Sequence, residues 1–123
     1  METIQRLSKG SSSSLIQFVV ESDGAVIVED LLNENDLHTL RTEIMPYVKA
    51  TSNGKDEFSG NKTTRTGALV ARSKNCRKIV MNSTVLNTVQ QFLKPYATKI
   101  QLHLAQLIRI KPGQKNKYCI VIY

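Results

Sequence analysis

Four residues of types that bind metals or act as nucleophiles are spread along the chain: His38, Cys76, His103 and Cys119. A zinc site needs about four Cys or His ligands at suitable spacing, and no two of these residues have a C-x-x-C or H-x-x-x-H spacing. A Cys–His nucleophile would require a cysteine to lie beside a histidine in the fold, and no local pattern indicates this. We therefore expect neither kind of site. Cys76 is predicted to be an inert buried thiol, and His38 a solvated surface residue.

The charge of the chain is distributed unevenly. Its 17 basic and 10 acidic residues give a net charge of +7. Residues 1–43 carry three basic and eight acidic side chains, whereas residues 44–123 carry fourteen and two. A basic region attracts anions such as nucleic acid, phosphorylated small molecules or an acidic protein surface.

The basic run at residues 72–78 has no interleaved aromatic residues on which bases could stack, and no phosphate-binding glycine pattern occurs. It is predicted to be a solvated basic face, and nucleic acid is not the expected partner. A non-catalytic basic binding module for an anionic partner such as nucleic acid stays as the alternative function.

The 123 residues, of globular composition, are enough for one domain. Residues 1–13 are predicted to be a flexible lead-in, although the serines at its end could instead cap a helix. The apolar stretch at residues 15–20 predicts a helix, and Asp23-Gly24 predicts a turn. Residues 25–28 are then expected to form a short buried strand.

A second helix is predicted to begin at Asn33, whose side chain can cap free backbone N–H groups. Its apolar residues recur at three- and four-residue spacing and define one buried face. These residues are Leu37, Leu40, Ile44 and Val48. Pro46 is expected to kink or end this helix, and residues 50–63 have the composition of a loop.

The second half of the chain is expected to contain more strand. Residues 66–70 could form a short strand, and Ser83 is predicted to cap a helix that ends near Pro95. Alternation over residues 99–110 predicts a longer strand with one apolar side. That side consists of Ile100, Leu102, Leu104, Ile108 and Ile110. Gln106 is the polar exception there and needs a hydrogen-bond partner, either a backbone group or a ligand.

Four segments share their order with one protein family. They are DGAVIVEDLL at residues 23–32, FSG at 58–60, TRTGALVARS at 64–73 and QLHLAQLIRIKPG at 101–113. In this order they resemble the N-terminal part of the phytanoyl-CoA dioxygenase family. The similarity is to its branch of iron(II)- and 2-oxoglutarate-dependent oxygenases that act on small metabolites. It covers residues 14–114 and leaves residues 115–123 as a divergent apolar tail.

The resemblance implies an α+β fold: the N-terminal helices and first strands of a double-stranded β-helix (jelly-roll or cupin-like), incomplete in this chain. The family's iron site is a His-x-Asp motif completed by a distant second His, which leaves positions on iron open for co-substrate and oxygen. The family's turn is kept by PGQ at residues 112–114, but Lys117 stands where a Gln is expected. Ile120 and Ile122 stand at the positions of the His and the Asp.

Isoleucine has no lone pair to offer a metal, so we expect no catalytic or metal-ligating residue and no productive binding of Fe(II) or 2-oxoglutarate. The chain is interpreted as a truncated product without the family's activity. Of the residues that a full-length relative would use, Gln106 is the best candidate to line a co-substrate pocket. Arg72 and Arg109 could attract the anionic co-substrate or substrate, although the favoured interpretation of Arg109 is a solvent-facing strand residue.

Location and self-association are also predicted from the sequence. No apolar run approaches the roughly 20 residues of a membrane-spanning helix, and no secretory signal pattern is present at the N-terminus. A cytoplasmic protein without a membrane partner is therefore expected. A β-helix without most of its strands leaves sheet edges uncovered, so we expect a homo-oligomer or an aggregate formed through those edges.

Overall fold

The computed structural model describes residues 3–115 and shows a mixture of helices and short strands. The helices in this range are α1 (Ser13–Asp23), α2 (Glu34–Ala50), α3 (Leu69–Arg72), α4 (Lys74–Val80) and α5 (Ser83–Leu93). The strands in this range are β1 (Arg6–Ser8), β2 (Ile27–Glu29), β3 (Thr63–Thr66) and β4 (Leu107–Ile110). The predicted α+β class is confirmed. No closed barrel is formed by residues 3–115, whose strands make two separate pairs.

The N-terminal unit consists of β1, α1 and β2. β1 pairs with β2 in parallel, with Leu7 opposite Val28, so residues 6–8 of the predicted lead-in form a strand. The Ser12 side chain accepts the backbone N–H of Leu15 and begins α1, as the capping alternative required. Gly24 ends α1 in the left-handed region at φ 76°, which a residue without Cβ adopts at no steric cost.

The long helix α2 begins where the sequence predicts. The Asn33 side chain accepts the backbone N–H of Asp36 at 2.8 Å, which satisfies one of the free donors of the first turn. Pro46 does not end the helix, which continues to Ala50. A proline removes a single N–H donor, and the burial of Ile44 and Val48 on either side of Pro46 holds this part of the helix against the core.

Two predicted strands of the C-terminal half are corrected. Residues 66–70 do not form a strand: β3 ends at Thr66, and α3 follows. Of the predicted strand over residues 99–110, only β4 is a strand, paired antiparallel with β3. A strand exists only where its backbone finds a partner, and the four residues of β3 offer a partner to four residues of β4. The last long helix begins with Asn82 as its cap, one residue before the predicted Ser83.

The core lies between α2, α3, α4 and the β3–β4 sheet. Its buried members are Ile44, Val48, Leu69 and Cys76, and the partly buried residues around them are Leu40, Val70, Val80, Ala105 and Leu107. A second, extensive contact is made by α1 and α5, and Ile16 and Val19 of α1 are buried. Leu37, which was predicted to belong to the buried face of α2, is largely exposed.

Candidate functional site

The β3–β4 sheet brings together two segments that lie about forty residues apart in the sequence. Thr64 stands opposite Arg109, and Thr66 stands opposite Leu107. These residues belong to the TRTG segment and to the QLIRI segment, respectively. The turn after β4 also returns to β3, because the side-chain oxygen of Gln114 accepts the backbone N–H of Lys62 at 2.8 Å. The two segments and the PGQ turn therefore form one local structure.

The face of this sheet that meets α2 is lined by threonine and leucine. The hydroxyl groups of Thr66 and Thr51 are hydrogen-bonded at 2.9 Å, and Leu107 packs against the core. The hydroxyl of Thr64 is buried without a hydrogen-bond partner among residues 3–115. Thr64 and Thr66 are buried on this face, whereas Arg109, which stands opposite Thr64 on the same face, is exposed.

The opposite face of the sheet is open at β4, although Thr63 on this face is buried. Residues directly opposite in an antiparallel pair share a face, so Arg65 lies beside Ile108 and Thr63 beside Ile110. The Arg65 guanidinium donates to the backbone carbonyl of Ser59. Both isoleucine side chains are more than half exposed. Arg65, which the sequence did not single out, is therefore the charged residue that the structure places on the open face.

Gln106 immediately precedes β4 and is half-buried. The carbonyl of the neighbouring Ala105 accepts the backbone N–H of Leu69 at 3.3 Å, which positions the backbone beside α3. No hydrogen bond to the Gln106 side chain is formed by any other described residue. Its role in a co-substrate pocket stays a prediction.

The two arginine candidates have different surroundings. The Arg72 guanidinium lies over the ring of Tyr47, 4.7 Å from its centroid, and donates to the backbone carbonyl of Gly67 at 3.2 Å. Arg109 is exposed on β4, and no ion pair to it is formed within residues 3–115. The described contacts do not join Arg72, Arg109 and Gln106 to one another.

A polar junction between α2 and α4 was missed by the sequence analysis. One carboxylate oxygen of Glu43 accepts the hydroxyl of Ser73 and the backbone N–H of Asn75, the latter at 3.0 Å. Ser73 also caps α4, because its hydroxyl accepts the backbone N–H of Cys76 at 2.8 Å. The signal that could have found it is a serine three residues before Cys76, at the start of a short helix. These bonds explain why polar residues are buried here.

The electrostatics of the junction follow from these bonds. The hydrogen bond from Ser73 is the main cause that lowers the pKa of Glu43 below 4.5, and the Asn75 N–H adds to it. Burial opposes this shift, and the positive charges of Arg77 and Lys78 assist it. Burial raises the pKa of the nearby Cys76 thiol, so this thiol is a weak nucleophile. The prediction that Cys76 is buried is confirmed.

An open cleft of about 490 Å³ lies at the C-terminal end of α5. It is lined by Gln90, Lys94, Ala97, Thr98, Lys99 and Ile100. None of the three candidate residues lines it. Its two lysines make it basic.

Metal-binding and membrane-spanning features were sought in the same range. No group of three or more His, Cys, Asp or Glu side chains that could hold a metal ion is formed by residues 3–115. His38 and His103 are both exposed. No helix of the described chain is long and apolar enough to cross a membrane. The predictions on Lys117, Cys119 and the isoleucines at 120 and 122 lie outside the described residues.

A scan against protein-family models found no match to the chain, and a search of the curated proteins found no similar protein.

Proposed function

We propose that the chain is the N-terminal part of a phytanoyl-CoA dioxygenase-family oxygenase that does not itself catalyse the family reaction. That reaction is the Fe(II)- and 2-oxoglutarate-dependent oxidation of a small metabolite. The observation that carries the proposal is the pairing of β3 with β4. Two segments on which the resemblance depends, TRTG and QLIRI, are adjacent strands in register, as consecutive parts of one sheet would be.

The open face of β3–β4 supports an incomplete double-stranded β-helix. Apolar side chains of a β-sandwich or jelly roll are normally covered by a facing sheet. Here Ile108 and Ile110 are exposed, as are Leu102 and Leu104 in the segment before β4. We infer that further strands would cover these side chains in a complete relative.

The residues present do not fit the family's iron. The described part of the chain brings together no three His, Cys, Asp or Glu side chains that could hold a metal ion. Ile120 and Ile122 stand at the positions where the resemblance expects the His and the Asp. We therefore derive no catalytic step for this chain. Gln106 remains the candidate for the co-substrate pocket, because its half-buried amide has no hydrogen-bond partner among the described residues and could bond to a ligand. We place the protein in the cytoplasm, where the free thiol of Cys76 would stay reduced.

The coding sequence downstream of Gln114 tests the proposal. We expect a His-x-Asp motif encoded there in another reading frame or exon. The 123-residue chain, supplied with Fe(II) and 2-oxoglutarate, should release no succinate, whereas the chain joined to that continuation should release it. A downstream sequence without the motif, or succinate release by the short chain alone, would refute the proposal.

The incomplete fold also predicts how the purified chain behaves. Because apolar strand residues are exposed, we expect aggregation, oligomers or a broad unfolding transition. Light scattering and calorimetry would measure this. A monodisperse monomer with one sharp two-state transition would contradict the idea that strands are missing.

A basic binding module is the second candidate. It is favoured by the exposed Lys74 and Lys78 of α4, to which no ion pair is formed within the described range, and by the lysine-lined cleft at the end of α5. Nucleic-acid binding at low-micromolar concentration that falls steeply with salt would support this function. Binding that does not depend on salt would not.

A further inference from the structure

One edge of the β3–β4 sheet has no partner among residues 3–115. The sheet has two strands, and β4 uses one of its edges to pair with β3. The backbone N–H of Lys111 donates to the carbonyl of Lys62 at 2.9 Å. In an antiparallel ladder the hydrogen-bonded positions alternate. The backbone groups of Leu107 and Arg109 therefore point towards β3 as well.

The intervening residues, Ile108 and Ile110, point their backbone N–H and C=O groups towards the free edge by the same alternation. Their side chains lie on the open face, where they are 54% and 67% exposed. Two donors, two acceptors and two apolar side chains are thus presented together. This is the arrangement that an added strand recognises.

The other face along this edge is positively charged. Arg109 is exposed, and no described residue forms an ion pair with it. Lys111 follows two residues later on the same side of the strand, but it is half-buried and its ammonium donates to the side chain of Asn53 at 2.8 Å. An added strand would therefore place one set of alternate side chains beside isoleucines and the other set beside Arg109.

We propose that the free edge of β4 binds an extended segment of a partner protein in which apolar and acidic residues alternate. The segment adds to the sheet as a further strand. Its apolar side chains cover Ile108 and Ile110, and its carboxylates lie beside Arg109. This binding rests on the proposal above that the chain is without the strands that would cover Ile108 and Ile110, and it is measured separately from succinate release.

A second copy of the chain is the poorer occupant. Two β4 strands paired antiparallel about Arg109 would place the two arginines opposite each other, and pairing about Ile110 would place Arg109 opposite Lys111. Pairing about Ile108 places Arg109 opposite Leu107 and avoids like charges, but it leaves Ile110 opposite Gln106, which lies outside β4. Like charges directly opposite in a sheet are destabilising. An acidic segment avoids this repulsion.

The test uses the full 123-residue chain and a fluorescent nine-residue peptide in which valine and aspartate alternate. One control peptide replaces aspartate by lysine. Another has the same composition with its valines and aspartates in two blocks. Only the alternating acidic peptide should bind. It should also slow amide hydrogen exchange at Ile108 and Ile110, whereas the Arg109 amide, which bonds to β3, should already exchange slowly in the free chain.

Two variants locate the binding. Arg109→Glu should lower the affinity for the acidic peptide about fivefold and should raise the affinity for the lysine peptide. Its matched control is Lys9→Glu, which changes the net charge equally at an exposed position after β1 and should leave binding unchanged. Ile110→Pro removes an edge N–H without removing a bond to β3, and should weaken binding about tenfold.

Three outcomes would overturn the proposal. The first is equal binding of the blocked peptide, which would show that no strand is added. The second is an equal effect of Arg109→Glu and Lys9→Glu, which would show a response to net charge alone. The third is slow exchange at Ile108 and Ile110 in the free chain. In a concentration-dependent dimer this would assign the edge to a second copy, and in a monomer to another segment of the same chain.

Discussion

Replacing Ser73 by alanine tests how α2 and α4 are joined. Ser73 is fully buried, with 0% of its surface exposed. Its hydroxyl accepts the backbone N–H of Cys76 as the cap of α4 and donates to the carboxylate of Glu43. Ser73→Ala removes both bonds and leaves the Cys76 N–H buried without an acceptor.

The magnitude follows from the lost cap. Loss of a helix N-cap costs about 1 kcal/mol on average, and a buried donor left without its acceptor costs about 1–3 kcal/mol. Both values describe the same broken bond, so the free energy of unfolding of Ser73→Ala should fall by about 2 kcal/mol at neutral pH. With a urea dependence of about 2 kcal/mol per molar, the denaturation midpoint should fall by about 1 M.

The pH dependence identifies the second bond. The Ser73 hydroxyl is the main cause of the lowered pKa of Glu43. A carboxyl group whose pKa is lowered by folding stabilises the fold above its unfolded pKa, and this contribution is lost as the pH falls through the folded pKa. Ser73→Ala moves the pKa of Glu43 back towards 4.5. The difference between the natural chain and the variant should therefore be largest at neutral pH and should shrink in acid.

The assay is urea denaturation, followed by circular dichroism at pH 7 and pH 3. The matched control is Ser12→Ala, because Ser12 caps α1 by accepting the Leu15 N–H at 3.2 Å and contacts no carboxylate among the described residues. It should cost about 0.5–1 kcal/mol, equally at both pH values. If Ser73→Ala unfolds like the natural chain, or loses the same stability at both pH values, the account of this junction is wrong.

Three further predictions concern the core, the Arg72 contact and the free thiol. Ile44→Ala should lower the free energy of unfolding by about 3 kcal/mol, because Ile44 is only 4% exposed. The control, Leu37→Ala on the same helix, should lower it by about 1 kcal/mol, because Leu37 is 41% exposed. Urea denaturation measures both. A double-mutant cycle of Arg72→Ala and Tyr47→Leu should give a coupling free energy of about 0.5–1 kcal/mol. A coupling free energy of zero would show that Tyr47 does not hold the Arg72 guanidinium, which could then contact a ligand. In a variant without Cys119, a thiol reagent should label Cys76 only in denaturant, because Cys76 is 7% exposed and burial raises the pKa of its thiol. Rapid labelling of the native chain would contradict the burial of Cys76.

The three longer helices, α1, α2 and α5, were predicted from the sequence, whereas α3 and α4 were not. The Asn33 cap, the end of α1 at Gly24 and the buried Ile44 and Val48 of α2 follow from local signals, although Leu37 of the same pattern is exposed. Pro46 was expected to kink or end α2 and does not end it, because tertiary packing of Ile44 and Val48 was not part of the local argument. The start of α5 was displaced by one residue because asparagine and serine are both good caps.

The strands could not be predicted with the same certainty. Residues 99–110 have an alternating pattern, but their regular structure is limited to the four residues of β4 that pair with β3. The candidate site shows the same limit. The sequence named Arg72 for its charge, whereas the structure engages it with Tyr47. Arg65 and Glu43 acquire their positions only from contacts with distant segments.

The sequence by itself determined the α+β class, the main helix starts, the uneven charge and the absence of an H-x-D pattern in the chain. Each of these depends on residues close together in the sequence or on composition alone. Only the tertiary structure decided which strand residues pair, that Arg72 is engaged by Tyr47, how Glu43 joins α2 to α4 and which edge of β4 has no partner among residues 3–115. These features depend on contacts between segments tens of residues apart, and alternation along one strand does not specify its partner.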